Sequence, residues 1–335
     1  MEKTEKQLFH GVVRVEKRNG YYYPYRLTQR QSDFFAEKAD CRYAEASANI
    51  YMEFSTRQTE ISFSYEVYQQ WHWYPDHAWW PDDAVYFGVY INDALVCLYP
   101  AEQTGRFRYS IQTEDEAVIR IALPDNAAVC VGDFDFGNFT PTEQKEKRLL
   151  AIGDSIAQGL IGNSGSQNFI THISSMLQME LLNQSVGGAR FWPDMIEESL
   201  PFIPTHILVS LGTNDVLKTD SLEEIKSSVL QVLQKVSALY PSAEITVLTP
   251  IRSFCHEDAF AEAANLVCQR SPGELRQRYA AVCREIETLG EQFQMRVVRG
   301  SDLLPLDKRY FSDEVHPNDL GFALMAIQFM KMITR

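Results

Sequence analysis

With 335 residues, 45% of them hydrophobic and 23% charged, the chain is long enough for two domains with a core each, and its composition excludes a largely disordered protein. Its formal charge of −14 is shared, with 15 basic and 23 acidic side chains in residues 1–147 (−8) and 16 and 22 in the remainder (−6). Neither half offers a basic face, which argues against nucleic acid and anionic membrane surfaces as partners.

No run approaches the roughly 20 apolar residues of a membrane span, and the first residues, MEKTEKQLFH, lack an apolar signal core, so a cytoplasmic location is expected. From residue 8 to 140 the pattern alternates with period two through GVVRVEKR, ANIYMEFS, ISFSYEVY, AVYFGVYI, ALVCLY, FRYSIQ, AVIRIAL and AVCVGDF, punctuated by NG, ND and PDN turns. Short strands without intervening long helices predict an antiparallel β-sandwich of the jelly-roll sort over residues 1–143. The segment SDFFAEKADCRYAEAS breaks the alternation and reads as a helix or a long loop. The six cysteines are scattered without CxxC spacing, which predicts buried free thiols, no disulfide framework and no metal.

The polar stretch FTPTEQKEKR reads as a linker, and from residue 148 to 335 the rhythm changes to α/β. RLLAI, HILVSLG, EITVLTP and MRVV read as buried strands, with a weaker one near LLNQSV. Apolar residues at Leu222, Ile225, Val229, Val232, Leu233 and Val236 mark one face of a helix that Ser221 and Glu224 cap. Further helices are predicted from Glu274 to about Phe293 and after His316. Such alternation predicts a parallel sheet covered by helices, with ligands at the carboxyl ends of its strands.

Four segments fall at those ends. LLAIGDSIAQG places Ser155 where a strand turns into a helix, and NQSVGG offers the backbone N–H of Gly188. SLGTND offers the side-chain amide of Asn214, and SDEVHPN sets Asp313 three residues before His316. A serine hydroxyl needs a base within hydrogen-bond reach, a histidine serves best when a carboxylate fixes its tautomer, and backbone and amide N–H groups can hold an oxyanion. Taken singly, a GDS turn is an ordinary helix cap, Gly188 a packing glycine, Asn214 a turn cap and His316 a helix cap; their joint occurrence in this order favours chemistry.

Together the four segments resemble blocks I, II, III and V of the SGNH (GDSL-like) hydrolase superfamily over residues 148–335. The resemblance implies a flavodoxin-like parallel sheet, Ser155 as nucleophile, His316 as base, Asp313 as its orienter, and an oxyanion hole of Ser155, Gly188 and Asn214. It calls for no cofactor. A β-sandwich ahead of such a domain is similar to some two-domain bacterial carbohydrate acetyl esterases, family 2 among them. That implies removal of a small acyl group, acetyl first, from an oligosaccharide or other small ester. A lipid-directed acylhydrolase or thioesterase and a non-catalytic glycan-binding module are the alternatives, and homo-oligomerisation stays open. As substrate contacts the sequence offers Arg190 and Trp192 just past the oxyanion glycine and Arg252 after a strand end. Trp79 and Trp80, in the tryptophan-rich run QQWHWYPDHAWWPDD, are offered across the boundary between the halves, although a tryptophan there equally packs a core. The long connection from Ser253 to Pro272 reads as a lid.

Overall fold

The computed structural model of the protein describes residues 5–41, 43–70, 85–112, 115–160, 167–219 and 221–334. Trp79 and Trp80 lie outside the described residues. Period-two alternation sends one face of each N-terminal strand inward. In β5 (Glu60–Gln70), Ile61, Phe63, Tyr65 and Val67 are buried while Glu60, Glu66 and Tyr68 are exposed. Two antiparallel sheets result. One runs β1 (Phe9–His10), β4 (Tyr51–Thr56), β9 (Ala117–Ala122), β6 (Val85–Ile91), β7 (Ala94–Ala101), with β11 (Phe139–Pro141) also on β4. The other runs β2 (Arg14–Arg18), β3 (Tyr21–Tyr25), β10 (Ala127–Asp135), β5, β8 (Thr104–Ser110). They enclose an aromatic core in which Phe63 stacks on Phe107 at 4.6 Å and Phe54 on Phe136 at 4.2 Å. Truncating one such ring costs ~3–5 kcal/mol.

The segment that breaks the alternation carries the end of a helix, α1 (Gln29–Ala36), and then a 3₁₀ turn at Ala39–Cys41. Thr28 and Gln31 form its capping box, so it starts upstream of the first apolar pair.

From Arg148 on, five strands form one parallel sheet in the spatial order β13 (Glu180–Asn183), β12 (Arg148–Gly153), β14 (His206–Ser210), β15 (Glu244–Leu248), β16 (Arg296–Val298). The second strand in sequence lies outside the first, which is the doubly wound 2-1-3-4-5 order. The helices are α2 (Ser155–Gln158), α3 (Phe169–Met176), α4 (Thr213–Lys218), α5 (Leu222–Leu239), α6 (Ala261–Cys268), α7 (Pro272–Gln292) and α8 (Asp319–Ile333). One sheet face packs α5 and α7, the other α3 and α8. The predicted face of α5 is buried at Ile225, Val229, Val232, Leu233 and Val236, and the Ser221 hydroxyl accepts from the Glu224 N–H. α7 begins at Pro272, two residues before the expected start, because Ser271 caps it and a proline is tolerated in a first turn.

The two halves share a continuous core. Leu27, Phe35, Cys41 and Ala44 from the N-terminal half belong to the same apolar cluster as the inner face of α5. Polar contacts accompany them: buried His10 Nδ1 meets Glu180 Oε1 at 2.9 Å, and Gln184 Nε2 donates to Gln31 Oε1 at 2.8 Å. Among the described residues no helix is long and apolar enough to cross a membrane.

Candidate active site

Strand order reverses between β12 and β14, and their carboxyl ends therefore open a crevice. The turn after β12 is built for close approach. A Cβ on Gly153 would meet Ala157 Cβ at 2.4 Å, the Ser210 carbonyl oxygen at 2.8 Å and Ser185 Oγ at 2.9 Å, so only glycine fits. Asp154 caps α2, its Oδ1 accepting from the Ile156 N–H at 3.0 Å. Gly159 ends this single turn at φ +90°. Ser155 is thereby fixed at the first helical position, where its own N–H has no intrahelical acceptor.

A short loop before α8 faces it. His316 Nε2 lies 2.9 Å from Ser155 Oγ, and both residues are buried. On the other side of the ring, His316 Nδ1 is 2.8 Å from Asp313 Oδ2 and 3.1 Å from Oδ1. Asp313 Oδ1 also accepts from the backbone N–H groups of Val315 at 2.7 Å and His316 at 2.6 Å. Burial pushes the Asp313 carboxyl up, but its interaction with the His316 ring and these donors outweigh it and hold it below the usual carboxylate value. An ionised carboxylate only accepts, so Nδ1 carries the proton and Nε2 presents a lone pair to the Ser155 hydroxyl. The loop is braced: Ser312 N donates to His316 O at 2.9 Å, and Phe254 N donates to Glu314 O at 2.8 Å.

The other two predicted donors lie just past the ends of the neighbouring strands. Gly188, past β13, takes φ +85°, and Gly212, before α4, takes φ +118°. Among the described residues nothing accepts from the backbone N–H of Ser155 or of Gly188. Asn214 sits in the first turn of α4, buried, with one Nδ2 hydrogen given to the Ala189 carbonyl at 3.1 Å. The amide has a second hydrogen, and its plane is set by the first. Among the described residues no group of three or more His, Cys, Asp or Glu side chains is arranged to hold a metal.

The GDSL-like Lipase/Acylhydrolase family model matches residues 151–324, more than half of the chain and all of this site. The chain belongs to this family. No curated protein has a sequence that matches it. Solved structures similar over nearly the whole chain include the salicylyl-acyltransferase SsfX3 from a tetracycline biosynthetic pathway, at 14% identity and a TM-score of 0.78, covering 97% of this chain and 93% of that one. A Bacteroides ovatus protein assigned as a GDSL-like lipase aligns at 15% identity and a TM-score of 0.73, covering 99% and 96%. A family two carbohydrate esterase from Clostridium thermocellum, in complex with cellohexaose, aligns at 14% identity and a TM-score of 0.64, covering 94% and 98%. At these identities the likeness is one of fold. It spans both halves, so the β-sheets ahead of the GDSL-like domain are part of a recurring two-part architecture.

Within this GDSL-like site the remaining predicted residues are placed as follows. The Arg190 guanidinium lies 5.6 Å from the Trp192 ring centre, and Trp192 packs edge-on against Phe34 of α1 at 5.9 Å. Arg252, its side chain exposed, is ion-paired to Glu257 at 2.6 Å. The Ser253–Pro272 connection holds two 3₁₀ turns and α6, and its first turn braces the His316 loop.

Further residues shape the site. Asp215 accepts the Phe191 N–H at 3.2 Å and so anchors the loop after Gly188; burial pushes its carboxyl up to about 7. Burial likewise takes Asp154 up to about 6. Gln158 Oε1 accepts from Gly187 N at 2.7 Å while its Nε2 donates to the Tyr43 carbonyl at 3.0 Å. The signal for Asp215 was its place beside Asn214; Gln158 gave none.

Proposed function

We propose that this GDSL-like protein is a serine esterase that removes a small acyl group, acetyl, from a carbohydrate. The observation that carries the chemistry is the unbroken line from Asp313 through His316 to Ser155 Oγ, with contacts of 2.8 and 2.9 Å. Ser155 Oγ attacks the ester carbonyl and its proton passes to His316 Nε2. The tetrahedral oxyanion is held by the N–H groups of Ser155 and Gly188 and the amide of Asn214. The imidazolium, stabilised by Asp313, protonates the departing alkoxide. Water then gives His316 a proton, attacks the acyl-enzyme and releases the carboxylic acid, restoring the Ser155 hydroxyl.

Support for acetyl and for a sugar alcohol comes from architecture. The same pair of parts occurs in the carbohydrate esterase held with cellohexaose. We assign residues 1–143 and 148–335 as the two domains, meeting at the polar stretch between β11 and β12. Arg190, Trp192, Arg252, Trp79 and Trp80 are proposed substrate contacts.

The test is turnover of para-nitrophenyl acetate, butyrate and octanoate by the purified protein and its Ser155→Ala variant, followed by acetylated oligosaccharides. Acetate-selective hydrolysis that vanishes in the variant, with release of acetate from the oligosaccharides, supports the proposal. Preference for octanoate replaces it with a lipid-directed acylhydrolase. Absence of any Ser155-dependent turnover sinks the serine esterase.

A further inference from the structure

Among the described residues Arg26 stands first among the large fully buried side chains, 1% exposed, and it belongs to the N-terminal half, directly after β3. A guanidinium has five N–H groups, and here all five point at main-chain carbonyls. Nε donates to Ala46 O at 2.9 Å, and Nη2 to Tyr43 O at 3.3 Å and Ala44 O at 3.1 Å. Nη1 crosses to the other half, donating to Asn183 O at 3.0 Å and Ser185 O at 2.5 Å. Those two carbonyls bracket the turn out of β13 that leads, through Val186 and Gly187, to Gly188.

Four further contacts close this arrangement into a ring. Gln184 Nε2 donates back to Arg26 O at 3.2 Å. Gln158, on the nucleophile's own turn, donates to the same Tyr43 carbonyl that Arg26 holds, and accepts from Gly187 N. The last residue of β13 completes the set: Asn183 Nδ2 donates to Ala157 O at 2.8 Å. The Ser155 turn and the Gly188 loop thus refer to one another partly through a cation supplied by the β half. Carbonyls holding a guanidinium in a rigid fork lose freedom in three dimensions, which is what an oxyanion donor requires of its loop.

We propose that Arg26 is the positioning residue for the oxyanion loop, so that the catalytic crevice is complete only with the N-terminal half docked. The inference rests on the esterase reading above. A lysine in its place offers three donors on a flexible stem and cannot span both sets of carbonyls. Displacing the loop by about 1 Å would lower turnover roughly 10- to 100-fold.

The experiment compares the full-length protein with Arg26→Ala, Arg26→Lys and His10→Gln. It measures kcat and KM on para-nitrophenyl acetate, the rate at which a fluorophosphonate labels Ser155, and the unfolding midpoint. In labelling, Ser155 Oγ bonds to phosphorus, fluoride leaves and the proton goes to His316. The expected result is a kcat loss of about 10- to 100-fold in both Arg26 variants with KM little changed and labelling slowed in parallel. Guanidinium ion at millimolar concentration should restore part of kcat in Arg26→Ala and leave the wild type unmoved. His10→Gln disturbs the same seam away from the loop and should lower the midpoint with kcat unchanged. Folded Arg26 variants with kcat within about twofold of wild type overturn the inference. Should Arg26→Ala fail to fold, Arg26→Lys decides, and unfolding of both would assign Arg26 to folding alone and overturn it too. A wild type that turns over no ester and takes no label at Ser155 sinks the esterase reading itself, whereas an active wild type with unaffected variants sinks only the role of Arg26.

Discussion

Replacing Asp313 by asparagine keeps almost every atom of the His316 loop in place and reverses one proton. In the wild type Asp313 Oδ1 accepts from two backbone N–H groups, at 2.7 and 2.6 Å, and the carboxylate accepts from His316 Nδ1 at 2.8 Å. The two backbone donors force the asparagine oxygen to stay where Oδ1 is, so its NH₂ faces Nδ1. Nδ1 must then accept, the ring proton moves to Nε2, and the atom 2.9 Å from Ser155 Oγ has no lone pair to take the hydroxyl proton. The variant also lacks the negative charge that stabilises the imidazolium. Loss of the correct tautomer is worth about 10³- to 10⁴-fold in kcat, or ~4–5.5 kcal/mol of barrier. The assay is the initial rate on para-nitrophenyl acetate at saturating substrate, beside an unfolding curve showing the midpoint within a few degrees of wild type. A folded Asp313→Asn protein that keeps more than about a tenth of wild-type kcat would refute the orientation argument.

Asn214→Ala removes one of the three proposed oxyanion donors and should lower kcat about 10²- to 10³-fold with KM little changed, read from the same esterase assay. Asp215 gives a pH signature: its folded carboxyl sits at about 7, far above the ordinary 3.8. Protonated in both states below its ordinary value, it exerts no drag there; as pH rises the unfolded chain ionises first, and stability drains away until pH passes the folded value. Urea unfolding at about pH 4.5 and about pH 7.5 should show a smaller loss of stability for Asp215→Asn than for wild type, and equal losses would contradict the buried, raised carboxyl. Gly153→Ala has no room at 2.4 Å from Ala157 Cβ and 2.8 Å from a backbone oxygen, so it should cost ~1–3 kcal/mol by denaturant melt and abolish Ser155 labelling as the turn shifts.

Local chemistry made much of this legible in the sequence. Ser155, Asn214 and His316 each announce themselves because strand, turn and helix follow one another within a few residues, and the period-two rhythm of the N-terminal half gives its sheets directly. Helix α1 was only half visible, because its first turn is polar and its cap, Thr28 with Gln31, precedes any apolar periodicity. Arg26 was invisible: its partners Asn183 and Ser185 lie 157 and 159 positions away, and main-chain carbonyls leave no trace in residue identity. Asp215 and Gln158 likewise act on backbone N–H groups, of Phe191 and Gly187, so nothing at the partner positions marks the pairing. Trp192, offered as a substrate contact, sits on Phe34, a contact that only the docking of α1 creates.

The seam between the halves also sets an order of events in time. The β half is synthesised first, and a domain of short antiparallel strands can settle before the parallel sheet has emerged. Its Arg26 then waits with empty donors for the carbonyls of Asn183 and Ser185, a closure across more than 150 residues that comes late in any folding sequence. On refolding from denaturant, the strand and helix signals of circular dichroism should therefore return before Ser155-dependent ester hydrolysis, the lag measuring how long the two finished halves take to find one another.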